Sequence, residues 1–346
     1  MRILLDILHP KHVHFFRPLI LRWQQRGDVV QILTRDKDIT HQLLEQFGLP
    51  FVCLSRQRET WHMAVELLQR WRKLVGWLCQ FRPDLTMAVG AVTMALPSRL
   101  LGVPHLAFTD TETAILGNRL GMPFASRIIT PAWFTKDFGP RHFRYRGFHE
   151  WSYLHPTEFV PDPDLVRAEG IDPDEPYAVV RFVRWSAAHD RGEAGLTPAD
   201  AVTLVHELSR RMRVYLTSEV PPPLALQPFV ARVRVDRMHH VLAFARLLAG
   251  ESPSMGTEAA LLGVPAVVAS TWAGRCGNMQ VLERQFGLMH VCERGRAAVQ
   301  AALALADNPP SREQIATQRA ALVDALDYIP EVVEHHMQAL MGGKYD

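Results

Sequence analysis

The sequence is short of the features that would place it in several large protein classes. Its 346 residues hold four cysteines, Cys53, Cys79, Cys276 and Cys292, and none forms a C-x-x-C pair. That spacing argues against a disulfide frame and a cysteine zinc site, and fits free thiols in a reducing cytosol. Neither sign of charge dominates, since 38 basic and 36 acidic residues leave a net +2. No bulk basic field therefore points to nucleic acid. No uninterrupted apolar run reaches the ~18 residues a membrane span needs. The opening MRILLD reads as a strand rather than a signal peptide. Also missing are a Walker phosphate loop, a G-x-G-x-x-G after the first strand, a G-x-S-x-G elbow and the D-x-D of metal-dependent transferases.

What is present is an alternation of short apolar runs with helical stretches. In the first half, strands are expected at 3–8, 29–34, 51–54, 85–89, 105–108 and 128–130, with helices at 15–26, 39–47, 61–82 and 94–101. Residues 151–176 then lose any period and collect prolines, which reads as a linker. The alternation restarts with strands at 177–182, 213–217, 247–249 and 266–269 and ends in mostly helical chain. Strand–helix–strand order with short connections implies parallel sheets with helices on both faces. Such sheets bind ligands beyond the carboxyl ends of their strands. The expected division is 1–152, an N-terminal domain; 153–176, a linker; and 177–346, a C-terminal domain, whose last helix is free to return to the first.

Three segments carry candidate chemistry. The first is Gly250-Glu251-Ser252-Pro253-Ser254-Met255-Gly256-Thr257-Glu258, which follows a strand and opens a helix. Small residues let a phosphate approach the backbone, and first-turn amides and hydroxyls can donate to it. Glu258, one turn in, suits ribose hydroxyls. A plain helix start with a capping box at Ser254-x-x-Thr257-Glu258 has the same appearance. The second is Asp6-x-x-His9-Pro10-x-His12-x-His14, read as a strand-to-helix loop whose His9 or His12 could serve as a base. No partner completes a zinc set there. The third runs from Arg181 through Ser186 to His189 and Asp190, with charge and hydroxyls for a diphosphate. Asp110 and Glu112, Ser218 and Glu219, and His239 follow or open elements where they could add contacts.

Five blocks together carry a resemblance. They are D-x-x-H-P-x-H-V-x-F-F from Asp6, F-H-E-x-x-Y-L-H-P over 148–156, R-F-V-x-W-x-A-x-H-D over 181–190, Thr217-Ser218-Glu219, and G-E-x-x-x-M-x-T-E-A-A-L-L-G-x-P over 250–265. The chain resembles a prokaryotic family of unknown function. That family is similar to the GT-B superfamily of glycosyltransferases and non-hydrolysing UDP-N-acetylglucosamine 2-epimerases. The resemblance implies an α/β, GT-B-like fold of two Rossmann-like domains with parallel sheets facing across a cleft. It implies use of a nucleotide-activated sugar, expected to be UDP-linked, with neither a metal nor a cofactor.

The expected activity is a glycosyltransferase of surface polysaccharide or glycoconjugate biosynthesis. A sugar-nucleotide epimerase and a non-catalytic nucleotide-sugar binder are the alternatives. The expected catalytic residues are His9, His12 and Asp110. The expected donor site is Arg181, Ser186, His189, Asp190, Ser218, Glu219, His239, Gly250, Glu251, Ser252, Met255, Gly256, Thr257 and Glu258. The expected partners are the nucleotide sugar and a glycan or lipid-linked acceptor. A cytoplasmic location is expected, with peripheral contact at the inner membrane face through the helix over 61–82, where Arg70, Lys73 and Trp77 share one stripe.

Overall fold

The computed structural model describes residues 1–56, 63–90, 92–183, 195–271 and 276–342. The chain forms two units. One comprises Met1–Glu158 and the segment from Asp327 onward; the other is Phe159–Leu326.

The first unit runs β1 (Arg2–Ile7), α1 (Pro10–Gln25), β2 (Val29–Asp36), α2 (Thr40–Gln46), β3 (Phe51–Arg56), α3 (Met63–Phe81), β4 (Leu85–Val89), α4 (Ala95–Leu100), β5 (His105–Phe108), α5 (Ile115–Gly121), β6 (Arg127–Pro131), β7 (His142–Tyr145) and α6 (Trp151–Leu154). Its strands pair in the order β3-β2-β1-β4-β5-β6-β7, all parallel. Central strands are buried on both faces, which is why 3–7 and 85–89 read as continuous apolar runs. The order reverses between β1 and β4, so the crevice of this sheet opens at their carboxyl ends.

The second unit runs α7 (Pro163–Arg167), β8 (Tyr177–Phe182), α8 (Pro198–Ser209), β9 (Arg213–Ser218), α9 (Met238–Ala243), β10 (Leu247–Gly250), α10 (Pro253–Leu262), β11 (Ala266–Ala269), α11 (Gly277–Arg284), β12 (Met289–Cys292), α12 (Gly295–Asp307) and α13 (Arg312–Ala325). Its parallel sheet has the order β12-β11-β10-β8-β9, and the reversal lies between β8 and β10. The last helix, α14 (Ile329–Met341), belongs to the first unit. There Glu334 accepts from Trp23 Nε1 at 2.6 Å, and Arg127 Nη1 meets His336 Nδ1 at 2.8 Å.

Three expectations need correction. The segment from His9 to His14 is not a loop. Proline fits the first helical turn, and His9 caps it, so α1 starts at Pro10 and carries His12 and His14 on its first turns. The stretch 153–176 is not a featureless linker. It holds α7, capped by Asp162, and buries Val166 and Ile171.

The basic stripe on α3 is only partly a surface, since Lys73 is exposed and Arg70 is not. Arg70 is 2% exposed and ion-paired to Asp6, and Lys73 donates to the Leu54 carbonyl at 2.7 Å. Trp71 and Trp77, partly buried, pack on Leu4, Leu33, Leu54 and Leu74. The helical spacing was right about which residues share a face, but Arg70 on that face turns onto the sheet and its buried carboxylate while Lys73 stays exposed. Among the described residues no helix is long and apolar enough to cross a membrane.

Candidate functional site

At the carboxyl end of the first sheet, charged groups converge from three loops. Lys11, on the first turn of α1, places its ammonium 2.6 Å from Asp110 Oδ2, beyond β5, and 2.7 Å from Glu150 Oε1, just before α6. Asp110 also takes the Thr111 hydroxyl at 3.1 Å on Oδ1 and lies 3.3 Å from His149 Nδ1 on Oδ2. His149 and Glu150 are each 1% exposed.

Burial and charge compete at each of these groups. At Asp110 burial opposes ionisation, but His149 and Lys11 outweigh it and hold the carboxyl well below the usual range. At Glu150 burial prevails over Lys11 and pushes the carboxyl up. At Lys11 burial opposes the charge, yet Asp110 and Glu150 overcome it and keep the ammonium protonated above the ordinary lysine range. Burial, with Asp110 and Glu150 nearby, raises the Tyr145 phenol well above its usual value.

The structure therefore brings Asp110 into a charged cluster, while the two candidate histidines take backbone roles. His9 Nδ1 accepts the Lys11 amide at 3.2 Å as a helix cap. His12 Nδ1 accepts the Leu8 amide at 3.3 Å, so its neutral ring carries the proton on Nε2. Burial, followed by the charges of His9, His149 and Lys11, drives His12 well below the normal histidine range. At neutral pH it is a donor rather than a base.

The sequence motifs carry His149 and Glu150 without a role and leave Lys11 as an unspecified position of the first block. The F-H-E block was the available signal: a histidine and an acid side by side, with no charged run to explain them.

In the second unit the β10–α10 turn is built as a capped helix start. Ser252 is the N-cap, Pro253 follows it, and the Ser252 hydroxyl accepts the Met255 amide at 3.3 Å. The Gly256 amide bonds the Ser252 carbonyl, and the Thr257 hydroxyl donates to the Pro253 carbonyl at 3.0 Å. Proline has no amide hydrogen, so Ser254 holds the one amide of this first turn left for an anion.

Gly250 has φ +151°, and a Cβ there would collide with the Arg181 carbonyl on the paired strand. Glu258 Oε1 lies 3.1 Å from His239 Nε2 on α9, and both residues are buried. Arg181 pairs with Glu219 at 2.6 Å. Ser218 closes a turn, donating to the Val220 carbonyl at 2.5 Å. Met255 lies against this start, 9% exposed. Ser186, His189 and Asp190 lie outside the described residues.

Two residues of this loop depart from their expected roles. Glu251 is a bracket rather than a ligand group. Its two oxygens accept the Val183 amide at 3.2 Å and the Leu196 amide at 2.8 Å, which fixes where the chain leaves β8 and where it re-enters before α8. Gly256 does not make room for a phosphate. A Cβ on it would overlap Val268 Cγ2 and press Met289 Cε at 3.1 Å, so it lets α10 lie close on β11 and β12. Gly256→Val is accordingly expected to destabilise the second unit by ~1–3 kcal/mol through overpacking. Thermal unfolding of the variant checks this, and an unchanged melting curve would refute the packing role.

Comparison with known proteins agrees with this architecture. Residues 1–161 match the family described as "Protein of unknown function (DUF354)". Over 276 residues the chain is 22% identical to an uncharacterized protein of Methanocaldococcus jannaschii, covering 76% of this chain and 80% of that one. Among solved structures it is similar to the UDP-GlcNAc 2-epimerase from Neisseria meningitidis bound to UDP-GlcNAc. The TM-score is 0.72 at 12% identity, over 98% of this chain and 100% of that one. It is also similar to the spinosyn forosaminyltransferase SpnP, with a TM-score of 0.66 at 15% identity over 99% of both chains. At such identities the likeness is one of fold, and the fold is GT-B: two α/β units, each on a parallel sheet.

Proposed function

We propose that the chain acts on a nucleotide-activated sugar as a metal-independent glycosyltransferase. The observation that carries this reading is positional. The β10–α10 turn, with Glu258 and His239, stands beside the β8/β10 reversal of its sheet, and the Lys11–Asp110–Glu150–His149 cluster stands at the carboxyl end of the other. Open α/β sheets bind ligands at such places. A solved structure of the same fold has UDP-GlcNAc bound, and another is a forosaminyltransferase.

In this reading the second unit holds a UDP-linked donor. The Ser254 amide faces the diphosphate, and the Glu258 carboxylate receives ribose hydroxyls. The first unit takes the acceptor, a glycan or lipid-linked sugar of surface-polysaccharide or glycoconjugate assembly, and supplies acid–base groups. Catalysis then rests on placing the acceptor hydroxyl and on stabilising the departing diphosphate.

A second reading, sugar-nucleotide epimerisation, is favoured by one observation. Asp110 and Glu150 share Lys11 while their protonation is pushed in opposite directions, as an acid and a base require.

Calorimetric titration of the full chain with UDP-, GDP- and dTDP-sugars and the free nucleotides tests both readings. A UDP-sugar is expected to bind in the presence of chelator, and Glu258→Ala is expected to weaken it. No binding by any nucleotide sugar overturns the proposal. Uptake of solvent deuterium into the sugar ring without an acceptor selects the epimerase. Nucleoside diphosphate release only with an acceptor selects the transferase.

A further inference from the structure

His149 lies in the bend between β7 and α6, a position no sequence expectation used. Its ring is held on three sides. Phe15 lies 4.9 Å away between centroids, Phe108 lies 6.5 Å away, and Tyr145 is nearly parallel to it, at 18° and 6.4 Å. The fourth constraint is polar: Nδ1 is 3.3 Å from Asp110 Oδ2.

That contact fixes where the protons are. An ionised carboxylate only accepts, so the hydrogen between the two must sit on His149 Nδ1. Asp110 is kept ionised from its other sides by the Lys11 ammonium at 2.6 Å and the Thr111 hydroxyl at 3.1 Å. In its neutral form, with the proton on Nδ1, the ring carries a bare lone pair on Nε2. That atom is buried and has no hydrogen-bond partner among the described residues. The arrangement is the inverse of His9 and His12, whose Nδ1 atoms accept main-chain amides.

We propose that His149 is the general base of the first unit and that Asp110 is its positioning residue. The assignment rests on the glycosyltransferase reading and names the group that reading left open. The acceptor hydroxyl gives its proton to His149 Nε2 as its oxygen bonds to the anomeric carbon. The bond from that carbon to the diphosphate oxygen breaks, and the nucleoside diphosphate leaves with the electron pair. Asp110 does not take the proton; it fixes the tautomer and offsets the charge on the imidazolium.

Nε2 is buried, so the incoming hydroxyl reaches it when the side chains around the ring shift. The Tyr145 hydroxyl and Glu150 Oε2 are likewise buried without partners among the described residues.

The test joins a spectrum to kinetics. In the 15N-histidine-labelled full chain at neutral pH, His149 is expected to show the Nδ1–H tautomer, and Asp110→Asn is expected to switch it to Nε2–H. His149→Asn keeps a donor near Nδ1 and His149→Gln keeps a polar group near Nε2. Both are expected to lose about 10²–10⁴-fold in turnover with donor affinity unchanged.

Near-full turnover in His149→Asn overturns the base role and leaves only a positioning one. An Nε2–H tautomer in an active wild-type chain overturns the pairing, with no variant needed. A wild-type chain that binds donor but turns over no acceptor overturns the transferase reading and the base assignment together. The tautomer then reports on the pairing alone.

Discussion

Replacing Arg70 with methionine is expected to destabilise the first unit by ~3–5 kcal/mol, the usual cost of leaving one member of a buried ion pair alone. Asp6 is fully buried in the centre of the sheet, its strand paired on both sides, and Arg70 is 2% exposed. The guanidinium pairs with Asp6 and also donates to the Thr34 carbonyl and the Ser55 hydroxyl, each at 3.0 Å. After the substitution the Thr93 hydroxyl is the remaining donor to the carboxylate.

Lysine should not rescue the site, because a point ammonium cannot reach Asp6, Thr34 and Ser55 together as the planar fork does. The double variant Asp6→Leu/Arg70→Met should recover part of the loss, since it removes the stranded charge. Denaturant unfolding of the single and double variants decides the matter. A loss below ~1 kcal/mol for Arg70→Met would show that the pair does not hold this unit together.

The same pair shows what sequence reasoning reaches and what it does not. The strands and most helices were legible because a doubly buried parallel strand must be a short apolar run and a covering helix must show a 3.6-residue period. Strand β7 was missed because its sequence HFRY is partly exposed and holds no apolar run; β12, with MHVC, is similar. Periodicity put Arg70 and Lys73 on one face of α3 correctly. It could not tell that a carboxylate 64 residues earlier in the chain waits under that face.

The site was half legible for the same reason. Gly250, the serines and Glu258 announce a strand-to-helix turn from adjacent residues, but the cap falls on Ser252 and not on Ser254, because Pro253 already fits the first helical turn. Lys11 meets Asp110 across 99 residues, and no local spacing encodes that meeting. Gly256 looked like room for a ligand because a missing Cβ leaves the same mark in sequence whether a phosphate or Val268 fills the space.

Replacing Lys11 with methionine is expected to give a loss that depends on pH. The Lys11 side chain is partly exposed, 19%, so the cost at neutral pH is put at the low end for a broken ion pair, about 3 kcal/mol. The sign follows from the two carboxyls. Asp110, held well below its unfolded value by His149 and Lys11, contributes stability above that unfolded value and loses it as pH falls through the folded one. Without Lys11 only His149 and the Thr111 hydroxyl are left to favour its ionised form, so its folded value climbs and acid unfolding begins at higher pH.

Glu150 runs the other way. Burial raises it, so its ionised form costs stability at neutral pH, and the cost is relieved as pH falls. Without the ammonium that cost grows, and the carboxyl takes up its proton nearer neutrality. Lys11 itself is raised, so its contribution is complete below the unfolded lysine value and is lost only in strong base. Once both carboxyls are protonated neither needs the cation. The wild type and Lys11→Met should therefore differ most above neutral pH and converge only as pH falls below the ordinary carboxyl range, through the folded value of Asp110. Urea unfolding of both proteins at a series of pH values measures the gap. A gap of constant size across the series would mean that Lys11 stabilises the unit by packing its stem and not by its charge.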